Sequence, residues 1–396
     1  MKKHNILTLA IGIMVSLVPN LEVRAQTDST LPAPNKPGGG SEKMLLAGEM
    51  FTSWQNVKID PYHGMPSVTT NSFGSNPAYP TGLMLMPLIK LTDRLFIDVQ
   101  VQVNAGVGAS FNEGIIYYHV GNGLNIFTGY FQPRSGMYEG ILDDFTNRYA
   151  SIPVGMGIGV QSEAGLGIQG GIQCGYSKIN YQLYVANGPQ LVVDSTGATN
   201  GQLTYGNLAA INMPKAVGGE IGFLPFSNSN LEFGVSGQYM PSTGPNGTPL
   251  ANISTSSLAG YLNYYHVFNP LMIRVQGQYE YTQTQKYNLY TNTSDTAILQ
   301  SAFNDMLSGW FAGMTFRLSG SSSTFLSNLE LGARYSQLTL PQDVLCQWGQ
   351  KPLNQTTISL TYWFTWKAPL SIAYDIYTQS GSPTEKVFTL RGMWFF

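Results

Sequence analysis

The sequence predicts an all-β chain, a transmembrane antiparallel β-barrel of ~16 strands. Three observations carry that prediction. From about residue 44 onward apolar residues recur at every second position. Charged residues make up only 11% of the chain, less than half the roughly 25% of an average globular protein. The connections between the alternating segments are short and long by turns.

The period is plain in the quoted stretches. In "RLFIDVQVQVN", Leu95, Ile97, Val99, Val101 and Val103 alternate with Phe96, Asp98, Gln100, Gln102 and Asn104. In "LEFGVSGQY", Leu231, Phe233, Val235 and Tyr239 oppose Glu232, Ser236 and Gln238. "LMIRVQGQYEY" and "LELGARYS" repeat the pattern, with Arg274, Glu280, Glu330 and Arg334 on their polar sides. Such alternation marks strands with two unlike faces. Several run to about ten residues, the length of a tilted strand crossing a bilayer.

Segments of this kind begin near Met44, Gly82, Arg94, Phe111, Gly123, Glu163, Lys178 and Pro214. Others begin near Ser229, Thr255, Leu271, Ser308, Leu326, Gln355, Ala368 and Glu385. The tight connections read "LTD", "GNG", "GYS", "SNS", "FNP", "GSSST" and "WKA". Between them fall longer polar ones around residues 58–81, 132–162, 189–213, 241–254, 286–307 and 339–354, with 104–111 and 380–384 the two modest members. An outer-membrane barrel has short periplasmic turns and long outer loops. A soluble sandwich has no reason to alternate them.

Residues 1–25 read as a secretory signal peptide: Lys2 and Lys3, an apolar run from Ile6 to Val18, then Val23-Arg24-Ala25. Residues 26–43 are rich in Pro, Gly and Ser and read as a flexible leader, and 44–396 as the barrel. Without Lys2, Lys3, Arg24 and Glu22 the formal charge moves from −2 to −4. Cys174 and Cys346 are too few for a disulfide framework, and each reads as an isolated thiol. The sequence offers 23 Tyr and 19 Phe, too many aromatics for a disordered chain.

The stretch "FTLRGMWFF" places Phe388, Leu390, Trp394 and Phe396 on one strand face and Thr389 and Arg391 on the other. In lipid every backbone polar group needs an internal partner, so this strand is expected to close on the first. Trp394 and Phe396 resemble the C-terminal signal read by the barrel assembly machinery.

Several stretches together resemble the porin superfamily that includes the phosphate-selective porins O and P. They are "LLAGEMFTSW", "LTDRLFIDVQVQ", "GLNIFTGYFQPRSGMYEGIL", "YQLYVANGP" and "KAVGGEIGFLPFSNSNLEFGVSGQY", in order and at barrel spacing. The resemblance implies a pore of ~16 strands in the outer membrane, a homotrimer, narrowed by an inward-folded loop. In the named members phosphate selectivity depends on a ladder and rings of Lys and Arg. Here residues 26–396 carry 17 Lys plus Arg against 21 Asp plus Glu, with no basic cluster. Phosphate is not the expected substrate.

The candidate constriction is the connection 132–162, with Arg134, Tyr138, Glu139, Asp143, Asp144, Arg148 and Tyr149. Both charge signs on one loop either face each other across a channel or are ordinary solvated charges. Strand parity turns Asp98, Glu220, Glu232, Arg274, Glu280, Arg317, Glu330, Arg334 and Asp375 inward. "GLGIQG" (165–170) matches a dinucleotide fingerprint in letters only, because it lies in a β run with no helix to follow. The histidines, at 4, 63, 119 and 266, lack metal-ligand spacing, so no metal or other cofactor is expected. His119 and His266 adjoin short turns, where interfacial residues sit.

These features point to an outer-membrane porin that passes small hydrophilic solutes or ions and meets lipid on its outside. A barrel enclosing an electron-carrying partner is the second reading. An outer-membrane enzyme is the third, and it would want a nucleophile and a His on the outer rim, where only His63 stands. Nothing marks a nucleic-acid partner.

Overall fold

The computed structural model describes residues 44–62, 65–73, 81–105, 108–121, 123–137, 149–156, 162–191, 203–206, 208, 215–226, 228, 230–244, 249–293, 296–339 and 351–396. Its first strands are β1 (Met44–Ile59), β2 (Val68–Phe73), β3 (Gly82–Lys90), β4 (Leu95–Asn104), β5 (Gly108–Gly121) and β6 (Leu124–Phe131). Next come β7 (Glu163–Cys174), β8 (Ser177–Ala186), β9 (Gln190–Leu191), β10 (Leu203–Thr204), β11 (Ala216–Leu224) and β12 (Leu231–Met240). The rest are β13 (Thr255–Phe268), β14 (Leu271–Thr293), β15 (Thr296–Arg317), β16 (Leu329–Thr339), β17 (Leu353–Thr365), β18 (Ala368–Gln379) and β19 (Glu385–Phe395).

All pairings are antiparallel, each strand with its sequence neighbour, and β8 bonds across to β11. The ring closes where β19 returns to β1, from Glu49↔Phe395 to Ile59↔Glu385. The result is a closed barrel of sixteen strands, β1, β3–β8 and β11–β19. β2 lies in line with β3 along β1: Val68–Phe73 pairs with Ile59–Trp54, and β3 with Phe51–Met44. β9 and β10 form a separate two-stranded ribbon.

Burial is inverted relative to a soluble sheet. On β17, Gln355 and Thr357 are 0% exposed, and Ser359 and Thr361 are also buried. Between them Ile358 is 57% exposed and, further on, Phe364 63%. β12 repeats the inversion, with Phe233, Val235 and Tyr239 exposed and Ser236 and Gln238 buried. An apolar outside and a polar inside, with every edge paired, is the arrangement a bilayer demands. The barrel is transmembrane.

Strand starts follow the sequence periodicity closely. The turn after Cys174 needs two residues, because Gly175 takes φ +61°, a left-handed conformation suited to glycine. "GLGIQG" runs inside β7, as wall and not as a phosphate loop. Some expected connections are strand: β2 lies within 58–81, β5 begins within 104–111, and residues 286–307 belong largely to β14 and β15, which stay paired as far as Thr293↔Thr296. Beyond the bilayer neither hairpin face needs to be apolar, so the period-two signal fades while the backbone ladder continues. Another tight turn, "GSSST", leads into a short helix α1 (Thr324–Ser327), capped by the Ser323 hydroxyl. Cys346, His4, His63, the signal peptide and the leader lie outside the described residues.

Candidate pore constriction

The connection after β6 turns into the barrel, and its backbone reads out a row of inward side chains. The amide N–H of Gln132 donates to Glu113 Oε1 on β5 (3.3 Å). That of Arg134 donates to Gln182 Oε1 on β8 (2.9 Å), and that of Gly136 to Ser236 Oγ on β12 (2.8 Å). Met137 N–H then reaches Gln278 Oε1 on β14 (2.6 Å). These four acceptors follow wall order, so the first limb runs along the inside of the barrel. It has no sheet partner of its own, and a carboxylate, two carboxamides and a hydroxyl of the wall accept from its amides.

A second limb, residues 149–156, docks on the opposite wall. Tyr149 Oη faces the carbonyls of Met314 on β15 (3.3 Å) and Ala333 on β16 (3.1 Å). Arg334 lies over the Tyr149 ring, 4.5 Å from its centroid, and donates to Ser151 O and Oγ, both at 3.0 Å. The Ser151 hydroxyl donates to Asp375 Oδ1 on β18 (2.8 Å). Val154 N–H is shared between Ser336 Oγ (3.2 Å) and Gln355 Oε1 (2.9 Å). Gly155 packs directly on β15, where a Cβ would stand 2.6 Å from Trp310 N. Burial pushes the Tyr149 phenol up to about 12, although the Arg334 charge opposes that rise. Met137 of the first limb and Met156 of the second join Tyr261 and Phe311 in one apolar cluster, with Ile152 packed against it. Both limbs therefore form a strap fixed to the inner wall.

With this geometry in view, comparison with solved structures identifies the architecture. The outer-membrane channel DcaP of Acinetobacter baumannii superposes with a TM-score of 0.55 at 11% identity, covering 89% of this chain and 97% of DcaP. An anion-selective porin from Comamonas acidovorans gives 0.54 at 10% identity, with 89% and 100% covered. OprB of Pseudomonas putida gives 0.55 at 9%, with 89% and 94% covered. The chain is an outer-membrane β-barrel of porin fold. Identities this low speak for the fold alone. No family model matches the sequence, and no curated protein does.

Of the predicted loop residues, Arg134 and Tyr149 fall among the described ones; Tyr138, Glu139, Asp143, Asp144 and Arg148 lie outside them. The Arg134 guanidinium stands 3.9 Å from Glu220 Oε2. Glu220 and Glu232 meet through Tyr261, whose hydroxyl lies 2.7 Å from one carboxylate and 3.3 Å from the other. Arg334 and Asp375 meet through Ser151. Glu280 is buried and accepts from the Gln278 amide (3.1 Å). Glu330, also buried, accepts from the Trp363 indole (3.1 Å). Arg317 is held at the short-turn end by Ser327 O and Asn328 Oδ1. Arg274 lies over Tyr265, and Asp98 is half-buried opposite Ile115.

The inner charges are unevenly spread. Asp98, Glu113, Glu163, Glu220, Glu232 and Glu280 belong to β4–β14 together with Arg274, whereas Arg317, Arg334 and Arg391 belong to β15–β19 together with Glu330 and Asp375. Sequence reasoning missed the neutral residues that hold the strap, Gln182, Ser236, Gln278, Ser336 and Gln355. Their signal was present as Ser and Gln at inward parity, but parity alone does not tell a strap contact from a wetted wall. It also missed Glu163, which is buried between Gly188 N–H (3.0 Å) and the Gln238 amide (3.1 Å).

Proposed function

We propose that this chain is a passive diffusion channel for small hydrophilic solutes or ions across the outer membrane. The observation that carries the reading is a closed barrel with an apolar outside, a polar inside and a strap docked along its inner wall. The reading places the chain with porins of the phosphate-selective O/P-like kind, without their basic ladder, and as a pore and not an enzyme. It includes a homotrimeric assembly, and delivery by the barrel assembly machinery through the face of Trp394 and Phe396. The strap and the loop residues Glu139, Asp143, Asp144 and Arg148 form the constriction in this account.

Selectivity follows from the charge arrangement. The excess of acidic side chains on β4–β14, against a mixed set of arginines and carboxylates on β15–β19, sets a transverse field, and its effect is strongest where the bore is narrower than a Debye length of roughly 8 Å. On β4–β14 the named carboxylates outnumber Arg274, so that side of the lumen carries the net negative charge an ion meets. The expected channel is near-neutral or weakly cation-selective. Planar-bilayer recording of the purified protein, with reversal potential in a salt gradient, tests both parts. A protein that never conducts would sink the channel reading. Strong anion selectivity with block by micromolar phosphate would sink the selectivity reading alone.

A further inference from the structure

Resting on the channel reading above, we propose that Tyr149, lidded by Arg334, is the positioning residue that holds the strap to the wall and so sets the width of the bore. The wall is cut to receive this ring. A Cβ on Gly313 would stand 2.6 Å from the Tyr149 hydroxyl oxygen, and one on Gly332 would stand 3.0 Å from ring carbon Cε1. Any larger residue at either place would enter the space the ring fills. Glycine within a strand weakens it, and it is kept where another group must come close. Here two neighbouring strands, β15 and β16, each give up a side chain at the same spot.

The Arg334 guanidinium lies over the ring, 4.5 Å from the centroid. The same guanidinium grips the strap two residues on, through Ser151 O and Oγ, and reaches Thr357 Oγ1 at 3.3 Å. Ser151 passes the contact to Asp375 (2.8 Å), which also accepts from the Gln355 amide at 2.8 Å. Ring, guanidinium, hydroxyl and carboxylate thus tie residues 149–151 to β15, β16, β17 and β18. The wall does not depend on the tie, since the ladder runs through Gly313↔Arg334 and Arg334↔Thr357 without interruption. What the tie fixes is the strap. An arginine that would otherwise project into the lumen is spent on holding it.

The test uses the full chain, refolded and reconstituted in planar bilayers, with single-channel conductance and exclusion of graded polyethylene glycols as readouts. Heat-modifiable migration confirms a folded barrel. Tyr149→Ala is expected to raise conductance by about 1.5-fold or more and to admit larger polymers, as a wider bore requires. Tyr149→Phe keeps the ring in its slot and under the guanidinium, and should recover most of the difference. Gly313→Ala evicts the ring from the wall side and should act like Tyr149→Ala; it decides the matter if that variant fails to fold. If the wild type conducts and both Ala variants match it in conductance and cut-off, the positioning role is overturned and the channel reading stands. If none of the proteins conducts, both fall.

Discussion

Ile358→Arg separates a lipid-facing wall from an ordinary wet surface. Ile358 is more than half exposed, between buried Thr357 and Ser359. In a soluble protein an exposed Ile→Arg change lies within about ±0.5 kcal/mol. In this barrel the position is deep. It is five residues from Leu353 and seven from Thr365, the ends of β17, or about 17 and 24 Å along the strand. A tilt of roughly 40° reduces these to about 13 and 18 Å along the membrane normal, near the middle of the apolar band. An arginine at midplane costs about 2–4 kcal/mol, a loss of roughly 30- to 1000-fold in the folded ratio. Urea titration of the protein folded in phospholipid vesicles, read by heat-modifiable migration, measures this. Trp366→Arg, at a more exposed turn position, is the depth control and should cost only about 0–1 kcal/mol. Equal tolerance of arginine at 358 and 366 would refute the inside-out reasoning.

Three further expectations follow from named contacts. Gly48→Ala should destabilise the closing seam by about 1–3 kcal/mol in the same titration, since its Cβ would stand 2.6 Å from the Met84 carbonyl and 2.5 Å from the Phe396 ring. Asp143→Asn with Asp144→Asn should move the reversal potential towards anions and change conductance most at low salt; an unchanged potential would remove those residues from the constriction. A free tyrosine ionises near 10, whereas the docked Tyr149 phenol holds its proton to about 12. Docking is therefore at full strength below about pH 10 and weakens as pH rises from there towards 12. Wild-type conductance should climb over that window, and Tyr149→Phe, which has no proton to lose, should stay flat.

The barrel was legible in the sequence because lipid enforces a two-residue period wherever a strand crosses it. β12, β16 and β17 announce themselves through Val235, Leu331 and Ile358 alternating with Ser236, Glu330 and Thr357. The same rule marks the limit of that legibility. β14 and β15 continue beyond the apolar band to Thr293 and from Thr296, and without lipid nothing obliges "YNLYTNTSDTAILQ" to alternate. Their pairing is held by the backbone ladder, which leaves little mark on side-chain identity.

The strap was harder to read for a different physical reason. Its first limb is held by main-chain N–H groups of Gln132, Arg134, Gly136 and Met137, which any residue but proline supplies. The partners Gln182, Ser236 and Gln278 look the same in sequence whether they bind water or an amide. The charges stand out more, and of these Arg134, Glu220, Arg334 and Asp375 take part in the described contacts of the strap. In sequence Tyr149 reads as an aromatic beside charges, but its role depends on Gly313 and Gly332, more than 160 residues away. A slot made of absent side chains has no local motif. It exists only once β15 and β16 are in register, so the docking of the strap rests on pairs the sequence keeps far apart.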